Sequence, residues 1–258
     1  MELTEDQIRY GISHAKCSDP ARRRVVEVAE HRGEPTLAIN CTQLGGTFTP
    51  QFASAKEKKR ILREWCDYLK ANPGSFTSLA FGTRMPQELF DAVCHQRALV
   101  HLAIKWGAYE DLSALAKMRA LRVLHIGSGA RVGSLAPLTE LTELMALSVE
   151  NFQKITDYAP LTRLRKLQSL SIEGDILGPQ HIKPDSLEFL REMPQLRAFR
   201  LIGARLQSKD YRPVLALQNL EHLTLTPRPE VKAVHAELAG LPKLQWGWVK
   251  EKPELFQS

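Results

Sequence analysis

Residues 134–149, SLAPLTELTELMALSV, and residues 157–172, DYAPLTRLRKLQSLSI, are two copies of one pattern placed 23 residues apart. In each copy an apolar residue recurs at every third position, and a short run follows in which apolar residues alternate with other residues. A period of three is typical of 3₁₀ or short α-helical turns, and a period of two is typical of a strand with one buried face. Each copy therefore predicts a helical turn followed by a strand.

The strand part of this pattern recurs along most of the chain. It reads Leu-x-x-(Leu/Phe)-x-(Leu/Ile/Val), with degenerate first and last copies, and it begins at Phe76, Leu99, Leu121, Leu144, Leu167, Leu196, Leu220 and Leu244. The successive intervals are 23, 22, 23, 23, 29, 24 and 24 residues. Units of this kind must stack to bury their apolar faces, so a near-constant period predicts a solenoid. We predict the α/β class, with about eight repeats over residues 76–250 in a right-handed solenoid whose strands form one parallel sheet.

These segments resemble the leucine-rich repeats of the roughly 22-residue class, found in bacterial internalins and in a eukaryotic phosphatase-regulatory subunit. The resemblance covers about residues 76–250 and implies a freestanding horseshoe scaffold that binds other proteins. The chain departs from the family's pattern after each strand. At that position the family's asparagine is replaced by Gly107, Gly129, Phe152, Asp175, Ala204 and Arg228.

Residues 1–75 lie outside the repeats and predict a helical N-terminal cap with one edge strand. Thr4 and Gln7 form a capping box that opens a helix to about residue 16, and Asp19 with Pro20 predicts the start of a second helix that ends near residue 33. Residues 36–41 predict a strand beside the one at 76–82, and residues 54–71 predict an amphipathic helix. We expect this region to close one end of the solenoid, with Trp246, Trp248 and Phe256 closing the other and residues 251–258 forming a tail.

The 29-residue interval is five to seven residues longer than its neighbours and contains Gly178-Pro179-Gln180-His181-Ile182-Lys183-Pro184. Extra residues in a solenoid must leave the regular turn, so residues 174–185 predict a loop. The loop is either a contact loop beside the concave face or a tolerated insertion.

Composition limits the classes of function. The chain has 35 Lys and Arg against 29 Asp and Glu, and its cysteines at 17, 41, 66 and 94 lack CxxC spacing. The basic runs at 22–24 and 56–60 are short and predict solvated helix faces, so a nucleic-acid partner is not expected. The acidic N-terminus and the lack of a long apolar run predict a cytoplasmic protein without a membrane span.

Catalytic signatures are missing from the sequence. It contains no GxSxG, HExxH or Walker A pattern, and the glycines at 127, 129 and 133 lie where every other repeat turns. We predict neither an enzyme nor a bound cofactor or metal. The alternative is a hydrolytic or other enzyme with its site around His101, His125 and Glu150.

The repeat predicts which side chains face the concave surface. Three positions per strand point away from the buried leucines, and from them we predict a partner-binding set of His101, Lys105, His125, Glu150, Glu173, Arg200, His222, Trp246 and Trp248. The sequence therefore predicts a non-enzymatic protein-interaction module, with a role as an inhibitor or immunity-type protein as its narrower form.

Overall fold

One parallel sheet runs the length of the molecule, in a computed structural model that describes residues 2–17, 22–45, 54–174 and 181–257. Within these ranges the sheet has nine strands, and their order in the sheet is their order in the sequence. The strands are β1 (Arg23–Val25), β2 (Thr36–Ile39), β3 (Ser78–Pro86), β4 (His101–Ala108), β5 (Val123–Ile126), β6 (Ala146–Glu150), β7 (Ser169–Glu173), β8 (Ala198–Ile202) and β9 (His222–Leu225). The predicted single parallel sheet is confirmed.

The register between neighbouring strands keeps equivalent repeat positions side by side. Leu102 of β4 pairs with Leu124 of β5, which pairs with Leu147 of β6, and the same row continues through Leu170, Phe199 and Leu223. Every side chain in this row is 1% exposed or less. This row, called the leucine row below although Phe199 is one of its members, runs unbroken through the core. It fixes which residues of each strand face the other way.

Each of five repeats carries a 3₁₀ turn on the side opposite the sheet, as the period of three predicts. The turns are Ser113–Lys117, Ala136–Glu140, Ala159–Arg163, Glu188–Glu192 and Arg212–Ala216. An aspartate or serine two residues before each turn accepts a hydrogen bond from the turn's first amide at 2.8–3.1 Å; these residues are Asp111, Ser134, Asp157, Ser186 and Asp210. The side chain thus satisfies an amide that has no partner within the turn.

Backbone groups replace the missing asparagine at the turns after the strands. The amides of Gly127, Gly129 and Asn151 donate to carbonyls of adjacent strands at 2.7–2.8 Å. The hydroxyl of Tyr109 donates to the carbonyl of Gly127 at 2.7 Å. A side chain on Gly127 would place its Cβ 1.9 Å from the carbonyl oxygen of Lys105, so this turn closes only with glycine.

The region before the repeats extends the sheet and adds a helical layer. Helix α2 (Ala55–Ala71) begins at the capping box of Ser54 and Glu57 and is followed by α3 (Gln87–Val93). The indole Nε1 of the buried Trp65 donates to the carbonyl of Val26 at 2.7 Å, which joins α2 to the first coil of the sheet. As predicted, β2 pairs with β3.

Two helical predictions for this region are wrong. Residues 22–30 contain strand β1 and a 3₁₀ turn at Val28–Glu30 in place of a second helix, whose predicted start at 19–20 lies outside the described residues. The sheet therefore begins one strand earlier than predicted. The first helix, α1, spans only Glu5–Tyr10, because Gly11 at φ 90° ends it. The domain boundary at residue 75 stays a prediction.

The eighth predicted repeat does not form a strand. Trp246 makes one isolated bridge to His222, and Gly247 at φ 94° then turns the chain into α6 (Trp248–Glu251). Two short helices, α4 (Pro229–Lys232) and α5 (His235–Ala239), precede it. Phe256 is buried in the main core, and Trp248 packs against that core. Trp246 packs against a second, smaller apolar cluster. No helix in the described ranges is long and apolar enough to cross a membrane.

Residues 175–180 of the predicted 174–185 loop lie outside the described residues. The chain is again described from residue 181, where Ile182 is buried and forms a bridge to Ala204. The loop thus rejoins the body of the solenoid beside β8.

Replacing Trp65 by alanine is expected to lower the free energy of unfolding by about 3–5 kcal/mol, because the change leaves a cavity beneath α2. It also leaves the carbonyl of Val26 without its donor. Urea unfolding of Trp65→Ala, with Lys59→Ala on the exposed face of the same helix as the matched control, measures the effect. Equal stability of the two variants would show that α2 does not pack on the core.

Candidate functional site on the concave face

The sheet surface opposite the leucine row is the concave face, and its side chains form regular rows across the strands. One row begins at Ser78 and His101 and continues through Val123, Ala146, Ser169, Ala198 and His222. The next row passes through Ala103, His125, Ser148, Ser171 and Arg200. The predicted alignment of the outward-facing positions is confirmed for strands β3 to β9.

The chain's own N-terminal segment, residues 2–17, lies across part of this face. Leu3, Ile8 and Ile12 are 0–8% exposed and pack with four residues of the sheet side, and these are Val123, Met145, Ala146 and Ala198. This small cluster is separate from the main core. The expectation that residues 1–75 together cap one end of the solenoid is therefore wrong for the N-terminal segment, which covers the middle of the sheet.

A buried arginine ties the N-terminal segment to β8. Arg200 is 5% exposed, and its Nη2 donates to the carbonyl of Ile8 at 2.6 Å. Gly11 lies against the guanidinium, and a Cβ on this glycine would be 3.2 Å from Cζ of Arg200. Burial lowers the pKa of Arg200 to about 10, although the nearby Glu173 acts in the opposite direction. The arginine thus binds the end of α1 in a space that only a residue without a side chain fills easily.

Four of the predicted binding residues are placed differently from expectation. Arg200 and His222 point to the concave face as predicted, but both are only 5% exposed, so neither is open to a partner while the N-terminal segment is in place. Trp246 packs at the edge of the N-terminal cluster beneath Arg9, whose guanidinium lies 5.8 Å from its ring. Trp248 belongs to α6 and packs against the main core instead of extending the sheet. The N-terminal segment and the turn at Gly247 explain these differences.

The other five predicted residues lie together along an open groove on the uncovered half of the face. The groove has a volume of about 540 Å³ and spans strands from β1 to β7. Its floor consists of small residues, namely Ala38, Ala80, Gly82 and Ala103, and its charged lining comes from Arg22, Arg24, Lys105, Glu150 and Glu173. Residues 12–17 form one wall. The groove therefore combines a flat floor with charges of both signs.

Glu150 and Glu173 lie side by side in the groove. They are paired in the register of β6 and β7, and both are partly exposed. Like charges at this spacing repel each other. The hydroxyl of Ser171 donates to Glu173, and the positive charge of Arg200 acts on the same carboxylate. The adjacency of the two carboxylates follows from the regular register of β6 and β7.

The environment of His125 does not favour a role as the base of a hydrolytic site. Nδ1 of His125 is 3.0 Å from the hydroxyl of Ser148, but Ser148 is only 1% exposed and is shielded from a substrate. Burial lowers the pKa of His125 to about 4, which makes it a weak base near neutral pH. His101 lies 3.5 Å from Nη2 of Arg22. Among the described residues, no group of three or more His, Cys, Asp or Glu could hold a metal ion.

The repeat and the sheet together decide the architecture: parallel strands in sequence order, constant register and a 3₁₀ turn in each of five central units. The chain has the leucine-rich-repeat fold. No protein-family model matches the sequence, and no curated protein matches it.

Solved structures with this fold resemble the chain at low identity. Internalin C2 of Listeria monocytogenes is 19% identical with a TM-score of 0.46, over 69% of this chain and 82% of that one. A second internalin of that species is 18% identical with a TM-score of 0.47, over 82% of this chain and 60% of that one. A leucine-rich-repeat protein of Leptospira interrogans is 12% identical with a TM-score of 0.42, over 87% and 75% of the two chains.

Sequence reasoning missed two parts of the concave face. The apolar spacing of Ile8 and Ile12 indicates an amphipathic turn, but nothing in it identifies the middle of the sheet as its contact. Trp106, which is 40% exposed and lies 5.4 Å from the ammonium of Lys105, was also missed. Trp106 directly follows Lys105 at the end of a predicted strand. A large aromatic residue just beyond the regular pattern is the feature of the sequence that indicates an exposed contact here.

Acidification is expected to destabilise this leucine-rich-repeat protein through His125. Its folded pKa of about 4 lies below the ordinary value of 6.5, so the unfolded chain binds the proton first and stability falls as pH drops below 6.5. Between pH 7.5 and 5.0 the wild type should lose about 1–2 kcal/mol more than His125→Gln. Urea unfolding at both pH values tests this, and parallel losses in the two proteins would contradict it.

Proposed function

We propose that this protein is a non-enzymatic protein-interaction module that binds a protein partner in the open groove of its concave face. The observation that carries the proposal is the groove itself, which has a floor of small side chains and is lined by charges of both signs. Small side chains allow a partner's backbone to approach the sheet closely. Charged residues around such a floor fix orientation and exclude wrong partners.

The C-terminal edge of the strands adds a second kind of contact. Lys105 and Trp106 are both exposed and stand next to each other at the end of the groove. Exposed tryptophans that become buried on binding are among the residues that contribute most to protein interfaces. We propose that a partner in the groove covers this pair, with His101, His125, Glu150 and Glu173 as the polar contacts of the floor and rim.

The narrower proposal is an inhibitor or immunity-type role. A continuous nine-stranded sheet is a rigid surface, and a rigid surface loses little entropy when it covers a site on another protein. The mixed charges of the groove support a protein partner over a nucleic acid, whose phosphates require a predominantly basic surface. We also propose a cytoplasmic location, supported by four cysteines that are free thiols.

Filling the groove is expected to abolish partner capture. Ala103 lies on the floor, so Ala103→Arg places a long charged side chain where the partner's backbone should pass. Ala159→Arg introduces the same side chain at an exposed position in a 3₁₀ turn and is the matched control. Immobilised wild type and both variants are incubated with extract of the native cells, and the bound proteins are quantified by mass spectrometry.

A partner of the groove should bind the wild type and Ala159→Arg equally and fall at least tenfold with Ala103→Arg. A set of bound proteins that is the same for all three would count against the groove. For the inhibitor role, the activity of the captured partner is then measured with and without added wild type. If the partner's activity is unchanged, the protein is an adaptor and not an inhibitor.

A further inference from the structure

We infer that the N-terminal segment is a built-in competitor for the concave face, and that the partner displaces it by presenting a short helical turn with apolar side chains to strands β5 to β8. The inference rests on the proposed function, because it names the partner's shape and the regulation of the same face. It extends the binding surface from the open groove to the half of the sheet that the segment covers.

The segment is attached to a surface that is complete without it. Strands β5 to β8 pair with one another along their full register, and their leucine row is buried on the opposite side. The row that the segment covers contains the small residues Ala146, Ser169 and Ala198, and Val123 and Met145 lie beside them. Its apolar contacts form a satellite cluster that is separate from the main core. Regions with few buried contacts open locally at low free-energy cost, so the segment can leave while the solenoid stays folded.

The contacts at the margin of the segment are exposed and weak. Arg9 and Glu251 are 3.7 Å apart, and both side chains are about 40% exposed. Ion pairs of this kind contribute little and are screened by salt. The main hold on the segment comes from Leu3, Ile8 and Ile12 and from the bond between Arg200 and the carbonyl of Ile8, and Arg9 adds a contact with the Trp246 ring at the edge.

Arg200 shows that the segment is an imperfect ligand. Its Nη2 binds the carbonyl of Ile8, but its buried Nη1 has no hydrogen-bond partner among the described residues. A buried donor without a partner is costly. A helix whose last turn presents two free carbonyls to the guanidinium satisfies both nitrogens, and it therefore binds this face better than the segment does.

The same contacts define the partner's chemistry. The face accepts a single helical turn that ends at a glycine, with one branched aliphatic side chain inside the turn, as at Ile8, and another just beyond the glycine, as at Ile12. The glycine of such a ligand lies where Gly11 meets Arg200. Residues 12–17 also form a wall of the open groove, so a partner in the groove directly adjoins the segment. A partner that binds in the groove can therefore extend onto the adjacent half of the face as it displaces the segment.

The first test uses a fluorescent peptide of residues 2–17 as a probe for the covered face. In the full chain, Ile8→Asp with Ile12→Asp removes the apolar hold and opens the face without changing the sheet. We expect this opened variant to bind the peptide at least tenfold more tightly than the wild type, whose own segment competes at high effective concentration. Adding Ala146→Arg to the opened variant should abolish binding, while adding Ala159→Arg should not. Equal binding by the opened variant and the wild type would overturn the inference.

Hydrogen exchange of the wild type is the second, independent measurement. The amides of Ile8 and Gly11, which bond within α1, should exchange at least tenfold faster than those of β7. Exchange of both at one rate would show that the segment opens only when the whole protein unfolds, and would overturn the inference even if the opened variant failed to fold.

Partner capture separates this inference from the proposed function. If both hold, the opened variant retains at least tenfold more of the partner that Ala103→Arg loses. If Ala103→Arg loses the partner but the opened variant captures no more of it than the wild type does, the groove is the binding site and the segment does not compete for it. If the opened variant binds the peptide but no captured protein is lost with Ala103→Arg, the segment is displaceable and the groove is not the partner's site.

Discussion

The stacking of equivalent apolar positions from one repeat onto the next is the constraint on which the rest of the structure depends. No single unit of 22–24 residues has a core of its own, so each leucine is buried only because the next unit supplies its neighbour. The requirement fixes the register, since a slip of one residue would turn every leucine toward the concave face. Once the register is fixed, the concave rows follow, and with them the neighbourhood of Glu150 and Glu173.

The sequence could predict whatever repeats, and it was weakest where the pattern occurs once. The strands from β3 to β9, their order and the 3₁₀ turns follow from periodicity, because the same physical demand is recorded several times. The capping residues of those turns, such as Asp157 and Ser186, also recur in step with the repeat and were available to a closer inspection. By contrast, β1 lies in a segment with no repeat signature, and the last predicted strand is lost because Gly247 redirects the chain.

The concave face illustrates a different limit of sequence reasoning. The periodicity correctly predicted that Arg200 and His222 point away from the leucine row, but it could not show that Ile8 and its neighbours lie over them. Contact between residues 8 and 200 joins parts of the chain that are far apart, and it is specified by shape and by a hydrogen bond to a backbone carbonyl. Neither leaves a periodic trace in the sequence. The repeat pattern therefore predicts which side chains point to the concave face, but it does not predict which of them another part of the chain covers.

The N-terminal segment also changes how the concave face should be understood as a binding surface. Without the segment, the face between β5 and β8 would expose Val123, Met145, Ala146 and Ala198 together, and an apolar patch of this kind invites nonspecific association. A segment of the same chain that covers this half leaves the charged groove as the first surface that another protein meets. Arg200 connects the two halves, because it holds the carbonyl of Ile8 on one side and feels the carboxylate of Glu173, in the groove, on the other. Ser171, the register partner of Arg200, donates a hydrogen bond to Glu173, so the residue that holds the segment stands directly beside the acidic pair of the groove.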